Sequence, residues 1–182
     1  GLSRIADEPL MQKLALMKIM AKTAGGVRPT RTGKVPVGVQ LSLSSSFLDG
    51  WTEHFDEGYD HETTLVELIS VPSSATWIFV GARDPEGVIT IGAVGARDKV
   101  LQSTPKNIPH EHNGVTWYLT KGASFGFAAA GCAVNQEEAD CLQEDQGDSR
   151  LSWHIENGSC GYRAGSSDGL DGAEWRKLLY YK

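Results

Sequence analysis

Three features of the sequence predict an all-β protein: an antiparallel β-sandwich of about nine strands, jelly-roll-like, preceded by one amphipathic helix. Short runs alternate apolar with polar residues, which is the period of a strand with one buried face. Turn residues recur between these runs, and many of the 21 glycines fall there. No helical segment links one strand candidate to the next, which argues against a parallel sheet of βαβ units. A closed β-barrel is the alternative that the same pattern allows.

Charge divides the chain into an arm, residues 1–34, and a body, residues 35–182. The arm carries seven Lys and Arg against Asp7 and Glu8, a net of +5. The body carries ten against twenty-one acidic residues, a net of −11, and together they give the −6 of the whole chain. An acidic body argues against a nucleic-acid partner, because neutralising phosphates supplies most non-specific affinity. No apolar run approaches the roughly 20 residues of a membrane-spanning helix, so no membrane span is expected.

Residues 7–23 read as the helix. Asp7 is a suitable N-cap, and Pro9 falls in the first turn, where a backbone N–H has no intrahelical partner. Leu10, Leu14 and Met17 form a stripe widened by Met11, Leu16 and Met20, with Lys13, Lys18 and Lys22 on the wet side. A methionine-rich face of this kind packs adaptably against partners, so homo- or hetero-oligomerisation through residues 7–23 is an expectation. The basic connector 27–34 is extended around Pro29.

In residues 35–43 the odd positions are all aliphatic, and Pro36 confines that strand to an edge or an entry. Residues 44–63 read as a polar passage with a turn at Asp49-Gly50. Strand candidates follow at 64–71, 75–82, 88–94 and 99–102. Asn113-Gly114 is a turn pair, but no alternating run precedes it, so no tight hairpin is expected there. Residues 115–120 and 123–129 form a hairpin with Val115, Trp117, Leu119, Phe125 and Phe127 on its inner face. A short helix is expected at 137–143. Asn157-Gly158, between two alternating runs, predicts a type I′ hairpin that sets Leu151 opposite Ala164, Trp153 opposite Tyr162 and Ile155 opposite Cys160. A last strand spans 175–181.

The motifs that name a reaction are missing: there is no Gly-x-Ser-x-Gly elbow and no phosphate-binding glycine loop. His110 and His112 stand two apart, a spacing that can chelate a metal, and they are the candidate metal ligands. The carboxylates of 56–62 and of Asp168 and Asp171 are the candidates for Ca²⁺, the one cofactor considered. Cys132 and Cys141 bracket an acidic loop that a disulfide would close; the alternative is three reduced thiols, with Cys160 filling the core. Trp51 lies beside His54, Phe55 and Tyr59 in the polar passage, the mix of ring and carboxylate that a sugar-binding loop uses. With His154, Arg163, Asp168 and Asp171, it makes up the candidate ligand-binding set. The expected function is a non-catalytic recognition module that binds a carbohydrate or another extended polar ligand through its end loops, with a glycan or a protein as partner. The extracellular space is favoured over the cytoplasm. The alternatives are an assembly subunit docking through its N-terminal helix, and a metal-dependent enzyme built on His110 and His112.

Overall fold

The computed structural model describes residues 34–136 and 144–182. The helix of residues 7–23, the 137–143 segment and Cys141 therefore lie outside the described residues.

Ten strands are present among the described residues: β1 (Gln40–Leu43), β2 (Thr52–Gly58), β3 (Trp77–Arg83), β4 (Ile89–Ala96), β5 (His110–His112), β6 (Val115–Leu119), β7 (Ser124–Ala129), β8 (Leu151–His154), β9 (Arg163–Ala164) and β10 (Arg176–Tyr181). They form two antiparallel sheets, in the orders β1-β4-β3-β10-β2 and β5-β6-β7-β8-β9. The sheets are separate, so the chain is not a closed barrel. The second sheet is a meander in which each strand pairs with its sequence neighbour, which is not the Greek-key order of a jelly roll. In the first sheet, β10 inserts between β3 and β2 and ties the end of the body to its beginning. β1 lies at an edge, as its proline-led sequence requires.

One apolar core is shared by both sheets. Ile78, Val80, Ile91 and Leu179 enter it from the first sheet, and Trp117, Leu119, Phe125, Phe127 and Trp153 from the second. The rings meet edge to face: Trp117 on Phe127 at 5.3 Å, Phe125 on Trp153 at 5.2 Å, and Phe55 on Trp153 at 6.1 Å. Each fully buried side chain of this size contributes about 2–3 kcal/mol. The outer face of the first sheet carries a second cluster of Phe79, Val94 and Leu178, against which Phe47, Trp51 and Trp77 pack. Trp77 thus serves this outer cluster. The Phe79 ring lies across Gly81 and Gly92, where a Cβ would come within 2.6 and 2.3 Å of it. Glycine is required at both positions by that ring.

Several elements differ from the sequence reading, each for a local reason. Residues 64–71 are not a strand but contain the helix α1 (Leu65–Ile69). Thr64 accepts from the Glu67 N–H at 3.1 Å, and the Glu67 carboxylate accepts from the Thr64 N–H at 2.7 Å, a capping box that nucleates the turn. Residues 99–102 contribute to a second short helix, α2 (Arg97–Val100), instead of a strand. The polar passage 44–63 contains β2, an edge strand whose charges are tolerated because one side of it faces solvent.

The hairpin around Asn157-Gly158 keeps its expected register at only two pairs, Leu151 with Ala164 and Ser152 with Arg163. Beyond them the strands part, because Ile155 bridges to Thr63 and the Glu156 carboxylate accepts from the Leu65 N–H at 3.0 Å. Trp153 therefore packs on Phe125 and Phe55, while Tyr162 turns to the His154 ring at 6.0 Å. The Asn113-Gly114 turn, in contrast, does close a tight hairpin, with His112 paired to Val115 and His110 to Trp117.

Candidate functional site

A cleft of about 250 Å³ opens where the edge of the first sheet approaches the end of the second. Leu41, Ser42 and Thr90 contribute one wall from β1 and β4. The turn after β9 contributes Ser166 and Ser167, Trp175 comes from the entry to β10, and Asp148 from the turn before β8.

Local backbone conformation explains how these groups converge. Ser42 sits at φ +52° between the pairs Leu41–Ile91 and Leu43–Ile89. A non-glycine residue in that region costs about 1 kcal/mol, and strain of this kind concentrates at functional sites. Across the cleft, the Ala164 N–H donates to Ser167 O at 2.9 Å and the Ser167 N–H returns to Ala164 O at 3.2 Å, closing a tight turn. Gly165 holds φ +62° inside it, and its N–H donates to Arg150 O at 2.8 Å. The turn therefore stands against the chain just after Asp148. Trp175 is half-buried and packs on the shared core, so its indole is fixed in place while it faces the cleft. An indole, hydroxyls that both donate and accept, and one carboxylate are suited to a small polyhydroxylated ligand.

The expected site residues fall into separate groups. His154, Tyr162, Arg163 and Asp168 come together: Arg163 lies 5.7 Å above the Tyr162 ring and 3.5 Å from the Asp168 carboxylate. Asn157 Nδ2 lies 2.8 Å from His154 Nδ1, and burial holds the imidazole below its ordinary pKa, with the Lys177 charge adding to the effect. Asp171 is exposed in the loop beyond. Trp51 is elsewhere, in the outer cluster of the first sheet, stacked on Phe47 at 6.4 Å and covered by the Lys182 ammonium at 4.4 Å. It does not join the other four.

Of the two metal candidates, His112 is engaged otherwise. His112 Nε2 accepts from the Ala96 N–H at 3.1 Å, and burial lowers its pKa, which keeps the ring neutral. The His110 Nε2 is buried and without a hydrogen-bond partner among the described residues. No group of three His, Cys, Asp or Glu side chains among the described residues is placed to hold a metal ion. Of the calcium candidates, Asp56 is held between Arg83, at 2.5 Å, and Arg176, at 2.8 Å. Cys160 is a free, partly exposed thiol, and Cys132 is buried.

A further polar group lies inside the body. Lys177 is wholly buried, and its ammonium donates to His61 O, to Thr63 Oγ1 at 2.9 Å and to Cys160 O at 3.5 Å, with the Tyr59 and Trp153 rings about it. Burial lowers its pKa to about 8.

Sequence reading missed Ser42, Thr90, Asp148, Ser166 and Ser167, and it placed Trp175 only at the start of the last strand. The one available signal was the Gly-Ser-Ser-Asp run at 165–168, of which only the aspartate had been singled out. Comparison with known proteins finds no matching family model and no significantly similar curated protein or solved structure.

Proposed function

We propose that the body is a recognition sandwich that binds a saccharide, or a ligand presenting a similar array of hydroxyls, in the cleft between Ser42 and Trp175. One observation carries this reading: an indole fixed by the core faces the same space as Ser42, Thr90, Ser166, Ser167 and the Asp148 carboxylate. Sugar recognition uses this division, with the apolar face of a pyranose lying on an aromatic ring and its hydroxyls meeting short polar side chains. The volume of about 250 Å³ suits one sugar ring, with further units running out over the rim.

The cluster of His154, Tyr162, Arg163 and Asp168, whose Arg163 and Asp168 flank the lining segment Ala164–Ser167 in the chain, is a polar, aromatic candidate surface for such an extension. A glycan array probed with the wild-type protein, Trp175→Ala and Ser42→Gly tests the reading. Ser42→Gly relieves the backbone strain, so it stays folded while losing one hydroxyl from the cleft. Binding by the wild type that weakens in both variants is the expected result; wild-type binding that both variants retain places the ligand elsewhere.

A further inference from the structure

We propose that the cleft discriminates by charge, admitting neutral and amino sugars and turning away acidic ones, with the Asp148 carboxylate as the selecting group. This deepens the saccharide reading and depends on it.

Among the described residues that line the cleft, Asp148 is the only one with a formal charge. Its side chain is exposed, and its backbone carbonyl lies against Gly165, where a Cβ would come within 3.4 Å. The carboxylate is therefore presented from an anchored stretch of chain. Arg163, which precedes the lining segment Ala164–Ser167 in the chain, lies 3.5 Å from the Asp168 carboxylate and 5.7 Å from the Tyr162 ring centroid. The rest of the body carries an acidic excess, which adds a field of the same sign.

Serine and threonine hydroxyls rotate to donate or accept and do not distinguish a neutral sugar from a charged one. A carboxylate does. An ammonium in the cleft gains a charge-assisted hydrogen bond to it, whereas a second carboxylate meets like-charge repulsion. Asp148 is thus a specificity-determining residue, and the selection is set against uronic and sialic acids.

Isothermal titration with matched sets in the gluco and galacto series tests this, each set holding the neutral sugar, the 2-amino sugar and the 6-carboxylate. For the wild type the amino sugar binds at least as well as the neutral one, and the carboxylate binds at least about tenfold more weakly. In Asp148→Asn the carboxylate recovers to within about threefold of the neutral sugar, because the amide keeps an acceptor without the charge. That variant lies on the surface and leaves the core unchanged. A wild type that binds the neutral sugar and the carboxylate equally overturns the charge rule and leaves the cleft reading intact, as does a gap that persists in Asp148→Asn. No binding by any member of either set overturns both.

Discussion

The chain contains two Asn-Gly turns with different outcomes. At Asn113-Gly114 both residues take the left-handed conformation, φ +53° and +71°, and three pairs close between β5 and β6. The Asn113 amide donates to Pro36 O and Val94 O, both at 2.8 Å, and its own carbonyl accepts from the Gly38 N–H at 2.8 Å. At Asn157-Gly158 the left-handed residues are Glu156, at +49°, and Gly158, at +83°. The Asn157 amide donates to Ala123 O at 3.2 Å and meets His154 Nδ1, while its oxygen accepts from the Ser159 N–H at 3.0 Å. The same dipeptide closes a tight hairpin in one place and anchors an open loop in the other. Local turn preference is worth about a kilocalorie, and the bonds that Ile155 and Glu156 make to Thr63 and Leu65 outweigh it.

The largest expected effect that tests this contrast comes from Gly161→Ala in the open loop. A Cβ there would meet Leu170 O at 2.3 Å and the Tyr59 ring at 2.4 Å. The loop has no room to yield, and denaturant unfolding should show a loss of about 3 kcal/mol. A loss under about 1 kcal/mol would mean that the loop is not docked on Tyr59.

Asn113→Ala removes two hydrogen bonds and the preference for φ > 0, and should cost about 2 kcal/mol by the same measurement. Asn157→Ala should cost about half as much, since its bonds are longer or more exposed. Equal losses would erase the distinction between the two turns.

Lys177 links the open loop, through Cys160 O, to β10, and its buried charge gives stability a pH dependence. Its folded pKa of about 8 lies below the unfolded value, so the folded state binds fewer protons between about pH 8 and 10.5, and stability rises with pH across that window. The gain between pH 8 and 9 should be about 1 kcal/mol, and Lys177→Met should abolish it. The neutral imidazoles of His112 and His154 act at the other end: their lowered pKa values mean that stability falls as pH drops below about 6.5. The smallest effect belongs to Gly158→Ala, where nothing lies within 4 Å and only the positive φ counts; it should cost about 1 kcal/mol or less.

The sequence made the two-sheet, all-β character legible wherever a strand had one buried face. The alternation of Val115, Trp117 and Leu119 against Thr116 and Tyr118 marks β6 and points the first three into the shared core, although all five residues are buried. The edge strand β2 was hidden because its outward positions are acidic, and Asp56 gives no sign in sequence that Arg83 and Arg176 will hold it. Helix α1 was hidden by its aliphatic content, although Thr64 and Glu67 spell a capping box. The register of the last hairpin was readable at Leu151 with Ala164 and lost beyond Ser152, where the competing bonds come from residues some ninety positions earlier. The cleft was the least legible part. Ser42, Thr90, Asp148, Ser167 and Trp175 arrive from separate segments, most have short side chains, and no spacing connects them before the sheets pair.

The most direct test of the cleft is a ¹H–¹⁵N correlation spectrum recorded while a neutral oligosaccharide selected on the array is titrated in. The saccharide reading predicts saturable shifts at Ser42, Thr90, Asp148, Gly165–Ser167 and the Trp175 indole, fading towards Trp51. Shifts centred on Trp51 and Lys182, or none at saturating sugar, would contradict it.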